Sequence, residues 1–130
     1  MKKGKNVILC VDDEKTVLDT LQHQLKSIFD DKYLIEIAIS AEEALEVLDD
    51  LDSVDIETIL IITDWQMPGM KGDEFLVQVK KYENKMIKIL LTGQAPQKAL
   101  HRAFMEGGLD HYIQKPWEKE ELKAKIISLK

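Results

Sequence analysis

The feature that most constrains the fold of this chain is the apolar run at residues 58–63, TILIIT, which is followed at once by Asp64. Most of its residues are β-branched, and apolar and polar side chains do not alternate along it. Such a run is typical of a strand that is buried on both faces of a parallel sheet. We therefore expect Asp64 to lie where a central strand ends, at the edge where open α/β sheets bind their ligands. If Asp64 were the only such residue, an acid that merely starts a turn would be the favoured interpretation.

Length and composition indicate one compact domain over residues 1–130. Of the 130 residues 45% are hydrophobic, which is enough for a core without disulfides or a structural metal. The net charge of −6 argues against direct binding of nucleic acid or of an anionic membrane. The single cysteine, Cys10, lies in an apolar run and is interpreted as a small buried hydrophobe. Too few apolar residues follow the basic residues at 1–5 for a signal peptide or a membrane span, so we expect a soluble, cytoplasmic protein.

Apolar runs that suit strands alternate with segments that suit helices along the chain. The strand-like runs are at residues 7–11, 33–39, 58–63, 86–91 and 110–114, and the second has the partial alternation of a strand near a sheet edge. Apolar residues at helical spacing follow each run; they are Val17, Leu18, Leu21, Leu25, Ile28 and Phe29, then Ala41, Ala44, Leu45 and Leu48, then Phe75, Leu76 and Val79, then Leu100, Ala103 and Phe104, and finally Leu122, Ile126 and Leu129. Five such units in a row predict an α/β fold, a doubly wound five-stranded parallel sheet with helices on both faces.

A few residues predict where these elements begin and end. Ser40, with Glu43 three residues later, is typical of a helix N-terminus. The fourth helix is predicted at residues 95–105, with Gly107 and Gly108 terminating it. The fifth is predicted to start near Glu118. The acidic segment at residues 49–57 is predicted to be a helix end and a solvated loop.

Four of the five predicted strands end in, or are followed by, polar residues whose side chains suit a chemical role better than packing in a core. They are Asp12 and Asp13 after the first strand, Asp64 after the third, Thr92 at the end of the fourth and Lys115 after the fifth. Because all strands of a parallel sheet end at the same edge, we expect these side chains to lie together.

Three carboxylates that lie together repel one another unless a cation is held between them. An oxygen-only set of ligands with open positions suits Mg²⁺, or Mn²⁺ in its place. We expect Asp13 and Asp64 to be direct ligands and Asp12 to act through water. The main-chain carbonyl of Gln66 would complete the share that the protein supplies.

A carboxylate can also be a nucleophile and form an aspartyl-phosphate. The cation, the Lys115 ammonium and the Thr92 hydroxyl would then each take one phosphoryl oxygen. Taken alone, Lys115 reads more simply as a surface lysine before a proline. Its place among the other strand-end residues favours the role at the site.

Four motifs together resemble the receiver domain of two-component response regulators. They are VDDE at residues 11–14, TDWQMPGMKG at 63–72, LTG at 91–93 and QKPW at 114–117. Each motif is weak alone, but four in order and at the expected intervals are highly specific. The resemblance implies a flavodoxin-like sheet with strand order 2-1-3-4-5.

The resemblance also assigns roles to individual residues. It implies that Asp64 is the phospho-acceptor, that Asp12 and Asp13 form the acidic pair that binds Mg²⁺, and that Thr92 is the switch hydroxyl. Lys115 matches the lysine that contacts the phosphoryl group, and the Lys115-Pro116 bond matches one that is usually cis in this family. Tyr112 matches the aromatic switch position.

The implied partners are a sensor histidine kinase or a histidine phosphotransfer protein, which would supply the phosphoryl group from phosphohistidine. The receiver would catalyse its own phosphorylation and dephosphorylation without being a dedicated enzyme. The face formed by the fourth helix, fifth strand and fifth helix would change and control a downstream protein or an output domain. A phosphorylation-dependent homodimer through this face is left open, as is whether the chain is a segment of a larger regulator or hybrid kinase.

Other residues near the motifs have less specific interpretations. Gln66 and Gln94 occupy positions that tune the lifetime of the acyl phosphate, in a direction that the sequence does not give. Trp65 either borders the metal site or packs against its loop. The histidines, which are His23, His101 and His111, are dispersed and are interpreted as surface or partly packed residues.

Two other classes of protein use similar residues. A phosphatase with an aspartyl nucleophile would need a second acid two residues after Asp64, where Gln66 stands. A flavodoxin-type carrier would need a loop of glycine and hydroxyl residues after the first strand, where residues 12–14 are acidic. Both patterns favour the receiver.

Overall fold

The computed structural model describes residues 5–51, 56–82 and 85–129, and over these residues strands and helices alternate as predicted. The elements are β1 (Lys5–Val11), α1 (Lys15–Phe29), β2 (Leu34–Ala38), α2 (Ala41–Leu51), β3 (Ile56–Thr63), α3 (Gly72–Val79), β4 (Lys85–Thr92), α4 (Gln97–Met105), β5 (His111–Gln114) and α5 (Lys119–Ser128).

The five strands form one parallel sheet in the order β2-β1-β3-β4-β5, which confirms the predicted flavodoxin-like topology. β3 lies at the centre, and Val11 at the end of β1 is in register with Thr63 at the end of β3. Residues 59–62 are at most 2% exposed, so the run that predicted a doubly buried strand is buried on both faces of the sheet. β2 is an edge strand, as its partial alternation indicated.

Helices cover both faces of the sheet and give it two hydrophobic layers. On β3, Ile59 and Ile61 pack on one face with apolar residues of α2, α3 and α4. Leu60 and Ile62 pack on the other face with residues of α1 and α5. Because successive side chains of a strand point to opposite faces, one continuous apolar run serves both layers. Cys10 lies in the second layer, where burial raises the pKa of its thiol to about 12.

The predicted end signals are confirmed at two helices. The Glu43 N–H donates to Ser40 Oγ at 3.1 Å, and the Glu43 carboxylate accepts from the Ile39 N–H at 3.4 Å. After α4, Gly108 has a φ of +69°, a conformation that glycine adopts at little cost. The chain can therefore turn back, and the Leu109 N–H donates to the Ala103 carbonyl at 3.0 Å.

Some predicted boundaries are wrong. The helix end that was predicted in the acidic segment at 49–57 is confirmed, since α2 ends at Leu51, but Leu51 is 9% exposed and packs in the core. β3 begins at Ile56, two residues before the predicted strand, and residues 52–55 lie outside the described part of the chain.

The prediction for the fourth helix is wrong at its start and on one face. Pro96 has an extended ψ of 150° and precedes the helix, which begins at Gln97 instead of residue 95. Phe104 was expected to face inward but is 45% exposed. The buried face of α4 consists of Ala99 and Ala103, which are one turn apart, so Phe104 points away from the core.

The connection from β3 to α3 is closely packed at Gly72. Its N–H donates to the Trp65 carbonyl at 2.9 Å. A Cβ atom on Gly72 would lie 2.4 Å from the Asp64 carbonyl oxygen and 2.8 Å from the Trp65 Cα. The first residue of α3 therefore rests directly on the main chain at the end of β3.

Replacing Gly72 with alanine should lower the free energy of unfolding by about 1–3 kcal/mol, because main-chain atoms must shift to admit the methyl group. Urea unfolding of the two proteins measures the difference. Gly93→Ala is the matched control, since its nearest neighbour would be the Lys115 Cβ at 3.8 Å, an ordinary contact. Equal losses of stability in both variants would contradict the close packing at Gly72.

Candidate functional site

The carboxyl ends of β1, β3, β4 and β5 meet at one edge of the sheet and surround a pocket of about 290 Å³. The structure thus brings together the strand-end residues that the sequence placed there. The pocket is lined by Asp13, Glu14, Asp64, Gln66, Thr92, Gly93, Gln94 and Lys115.

Asp12, Asp13 and Asp64 each offer a carboxylate oxygen, and these oxygens lie within 4.8 Å of one another. Asp12 and Asp64 are 1% and 6% exposed, whereas Asp13 is open to solvent. Three carboxylates at this spacing repel one another, and a cation between them would remove the repulsion. The donor set is entirely oxygen and one side is open, so these residues fit a hard divalent ion.

Asp12 is held from both of its oxygens. Oδ1 accepts the Glu14 N–H at 2.9 Å, and Oδ2 accepts the Lys115 ammonium at 2.8 Å. Burial raises the pKa of the Asp12 carboxyl above its ordinary value, and these two hydrogen bonds offset part of the rise. Asp12 is therefore oriented behind the pocket, while Asp13 and Asp64 line it.

Asp64 is fixed by its main chain and by both carboxylate oxygens. Its N–H donates to the Val11 carbonyl at 2.9 Å, across the β1–β3 pair. Its Oδ1 accepts the Trp65 N–H at 2.7 Å, and its Oδ2 lies 3.4 Å from Lys115 Nζ. One buried carboxylate therefore faces the pocket with an ammonium beside it.

Lys115 connects the acidic residues of the site. Its side chain is 18% exposed, and Nζ lies 2.8 Å from Asp12, 3.4 Å from Asp64 and 3.8 Å from Glu14. Burial alone would lower the pKa of Lys115, but the hydrogen bond to Asp12 and the charges of Asp12 and Asp64 outweigh burial and raise it. The main-chain N–H of Lys115 donates to the Thr92 carbonyl at 3.1 Å, and the peptide bond between Lys115 and Pro116 is cis.

The structure places the remaining candidates around this centre. Thr92 is 2% exposed at the end of β4. Tyr112 on β5 is half-buried against the layer that contains α4. Gln66 and Gln94 are exposed at the mouth of the pocket.

The histidines lie away from the pocket. His23 and His101 are exposed, and His111 is half-buried on β5. None of the three lines the pocket.

Two features of the site were not anticipated. Glu14, for which no role was predicted, lines the pocket and pairs with Lys115. The Trp65 ring does not cover the pocket; its Nε1–H donates to Asp73 Oδ1 at 2.9 Å, so it packs against α3. An acid in the first turn of a helix is common, so Asp73 carried no signal that it would bind an indole.

No helix in the described part of the chain is long and apolar enough to cross a membrane.

Comparisons with known proteins agree with this geometry. Residues 8–127 match the family described as the response regulator receiver domain. The chain is 32% identical over 122 residues to the chemotaxis protein CheY homolog of Campylobacter jejuni, and the match covers 92% of this chain and 88% of that protein. It is 29% identical over 122 residues to the hydrogenase transcriptional regulatory protein HoxA of Cupriavidus necator, covering 94% of this chain but 23% of HoxA.

The chain corresponds to only part of several larger relatives, since it spans between 8% and 23% of the length of three of them. Among solved structures, the signal receiver domain of an HD domain-containing protein from Pseudomonas fluorescens Pf-5 superposes with a TM-score of 0.82. Its sequence is 29% identical, and the superposition covers 95% of this chain and 93% of that one. The family match spans nearly the whole chain, and the fold agrees with it. The chain therefore belongs to the response regulator receiver domain family and is a receiver of two-component signalling.

Proposed function

We propose that this receiver accepts a phosphoryl group on the Asp64 carboxylate from the phosphohistidine of a sensor histidine kinase or of a histidine phosphotransfer protein. The observation that carries the proposal is the position of Lys115 Nζ, 3.4 Å from Asp64 Oδ2 at an open pocket that Asp13 also lines. A buried nucleophile with a cation beside it suits an incoming anionic group.

In the transfer, an Asp64 oxygen forms a bond to phosphorus while the phosphorus–nitrogen bond of phosphohistidine breaks. The electron pair of that bond stays on the imidazole, which takes a proton from its surroundings. Asp64 becomes an aspartyl-phosphate, and the pocket must hold the added negative charge. Later attack by water would return the carboxylate and release inorganic phosphate.

We assign the metal to the acidic cluster, with Asp13, Asp64 and the Gln66 main-chain carbonyl as direct ligands. Asp12 would act through water, because its two oxygens already accept hydrogen bonds from Glu14 and Lys115. Mg²⁺ bound there, or Mn²⁺ in its place, would neutralise charge on the phosphoryl oxygens and lower the barrier to transfer.

The remaining phosphoryl oxygens would be held by Lys115 and Thr92. The raised pKa of Lys115 keeps its ammonium charged at neutral pH, and the side chain needs only to turn from Asp12 toward the new anion. Thr92 is buried at the end of β4, so its hydroxyl would approach the phosphoryl group through a small shift of that strand's end. The exposed amides of Gln66 and Gln94 would tune access of the hydrolytic water.

The signal would leave the site through Thr92 and Tyr112. Movement of Thr92 would free space for the half-buried Tyr112 ring and alter the face of α4, β5 and α5. A coupling of about 1–3 kcal/mol shifts a two-state equilibrium about 5–150-fold, which suffices for a switch. On α4, Phe104 and Met105 are 45% and 70% exposed, so the changing face offers apolar contacts to a downstream protein, an output domain or a second copy of the chain.

Asp64→Asn should abolish phosphorylation, because an amide cannot attack phosphorus as a carboxylate does. Incubation with Mg²⁺ and a small phosphodonor such as acetyl phosphate, followed by intact mass measurement, should show one added phosphoryl group on the unmodified protein. Asp19→Asn on α1, where the carboxylate is exposed, is the control and should be phosphorylated normally. Phosphorylation that persists in Asp64→Asn, or steady turnover of phosphate esters, would reject the assignment.

Asp13→Asn should stabilise the metal-free protein and remove its response to Mg²⁺. Loss of one carboxylate relieves repulsion from Asp12 and Asp64, so the melting temperature in a chelator should rise. A hundred-fold excess of Mg²⁺ over its Kd should stabilise the unmodified protein by about 2.7 kcal/mol and the variant far less.

Thermal unfolding with and without Mg²⁺ measures both effects. Asp19→Asn is the control, because it changes an exposed acid outside the cluster. Glu42→Gln would not serve, because Glu42 accepts a hydrogen bond from the Met70 N–H at 3.1 Å. A variant that retains the full Mg²⁺ response would exclude Asp13 as a ligand.

A further inference from the structure

A second series of polar contacts leaves Asp64 on the side opposite Lys115. The Trp65 N–H donates to Asp64 Oδ1 at 2.7 Å, and the indole Nε1–H of the same residue donates to Asp73 Oδ1 at 2.9 Å. The other oxygen of Asp73, Oδ2, pairs with Arg102 Nη1 at 3.6 Å. Since Arg102 lies on α4, three residues join the candidate phospho-acceptor to that helix.

Asp73 is the central residue of this series. It is 9% exposed, and each of its oxygens has a partner in the series. A carboxylate this buried depends on such partners, because an unpaired charge would be costly there. Its place in the first turn of α3 adds a favourable interaction with the helix dipole.

The start of α3 cannot move independently of Asp64. Gly72 rests on the Asp64 carbonyl and the Trp65 Cα, where even a methyl group would not fit. Asp73 follows Gly72 directly, so its position is tied to the end of β3. A change in the main chain at Asp64 or Trp65 is therefore passed on to Asp73.

The α4 side of the series has freedom to respond. Arg102 is 41% exposed and also pairs with Glu106 Oε2 at 3.6 Å, one turn later in α4. A groove of about 420 Å³ lies between the Trp65 ring and α4, bordered also by Asp73 and Pro96. This space would let α4 shift relative to Trp65 without a collision.

Phosphorylation would change the first contact of the series. The carboxylate of Asp64 accepts the Trp65 N–H as a charged group, and such bonds are stronger than those to a neutral carbonyl. In the aspartyl-phosphate this charge moves onto the phosphoryl oxygens. The Trp65 main chain would lose a charge-assisted bond and adjust, and its indole is bound to Asp73.

We infer that Trp65, Asp73 and Arg102 form a second connection between Asp64 and α4, in addition to Thr92 and Tyr112. The inference rests on the proposed phosphorylation of Asp64. Trp65 and Asp73 are positioning residues: they set where α4 lies relative to the acceptor and take no part in the transfer. The surface that this connection controls is the one formed by α4, which carries Phe104 and Met105.

The test is two-dimensional ¹H–¹⁵N NMR of the full chain with Mg²⁺, before and after addition of beryllofluoride as a phosphoryl mimic. ¹⁹F NMR reports separately that beryllofluoride is bound. In the unmodified protein the indole resonance of Trp65 and the amides of residues 97–105 should both move. In Trp65→Phe and Asp73→Asn the α4 shifts should fall about two-fold or more while binding persists.

Arg102→Gln tests the order of the series and does not endanger the core, because Arg102 is partly exposed. In this variant the Trp65 indole should still respond, whereas the α4 amides should respond less. Matched controls are Glu74→Gln on α3 and Lys98→Gln on α4, both exposed charges that should behave as the unmodified protein does.

The outcomes separate the two proposals. Undiminished α4 shifts in Trp65→Phe, Asp73→Asn and Arg102→Gln, with beryllofluoride bound, would overturn the second connection and leave the proposed function intact. Failure of the unmodified protein to bind beryllofluoride would overturn the proposed function and this inference together. Diminished shifts in the controls as well would overturn the inference, since any lost charge would then have the same effect.

Discussion

Repulsion among the carboxylates of Asp12, Asp13 and Asp64 is the constraint around which the structure is built. Their oxygens lie within 4.8 Å of one another, and two of the three residues are buried, so their gathering costs free energy. The Lys115 ammonium offsets part of this cost, and the free energy gained by packing the sheet offsets the rest. β1 and β3 are apolar on both faces and in register to their last residues, which forces the acids that follow them to meet.

The sheet and the loops therefore have separate tasks. The buried run of β3 fixes where Asp64 begins, and the bond from its N–H to the Val11 carbonyl extends the β1–β3 pairing past the end of the strand. The loops then orient the carboxylates through short hydrogen bonds from the Glu14 and Trp65 main chains. A rigid sheet that carries chemistry at its loop edge is the general arrangement of open α/β folds.

Much of this could be predicted from the sequence, because the relevant signals are local. An unbroken apolar run can only be a doubly buried strand or a buried helix, and the turn residues after 58–63 decide for the strand. The errors arise where neighbours in space decide. Phe104 is hydrophobic and lies beside Ala103, yet α4 packs through Ala99 and Ala103, since small residues let the helix lie close to α3. The contacts of Asp73 with Trp65 and with Arg102 could not be predicted, because these residues meet only after α3 and α4 have packed.

The charge of the site explains why its occupation should be felt beyond it. Three carboxylates beside one ammonium leave an excess of negative charge that a divalent ion would cancel. The phosphoryl group would carry about −1.5 to −2 at neutral pH in place of the single charge of the Asp64 carboxylate, so the balanced site would become negative again. On the proposed phosphorylation, groups beside the pocket would supply hydrogen bonds to the new charge, and Thr92 at the buried end of β4 is one candidate. The Trp65 N–H would lose its charged acceptor, so the proposed phosphorylation would act on the ends of both β4 and β3.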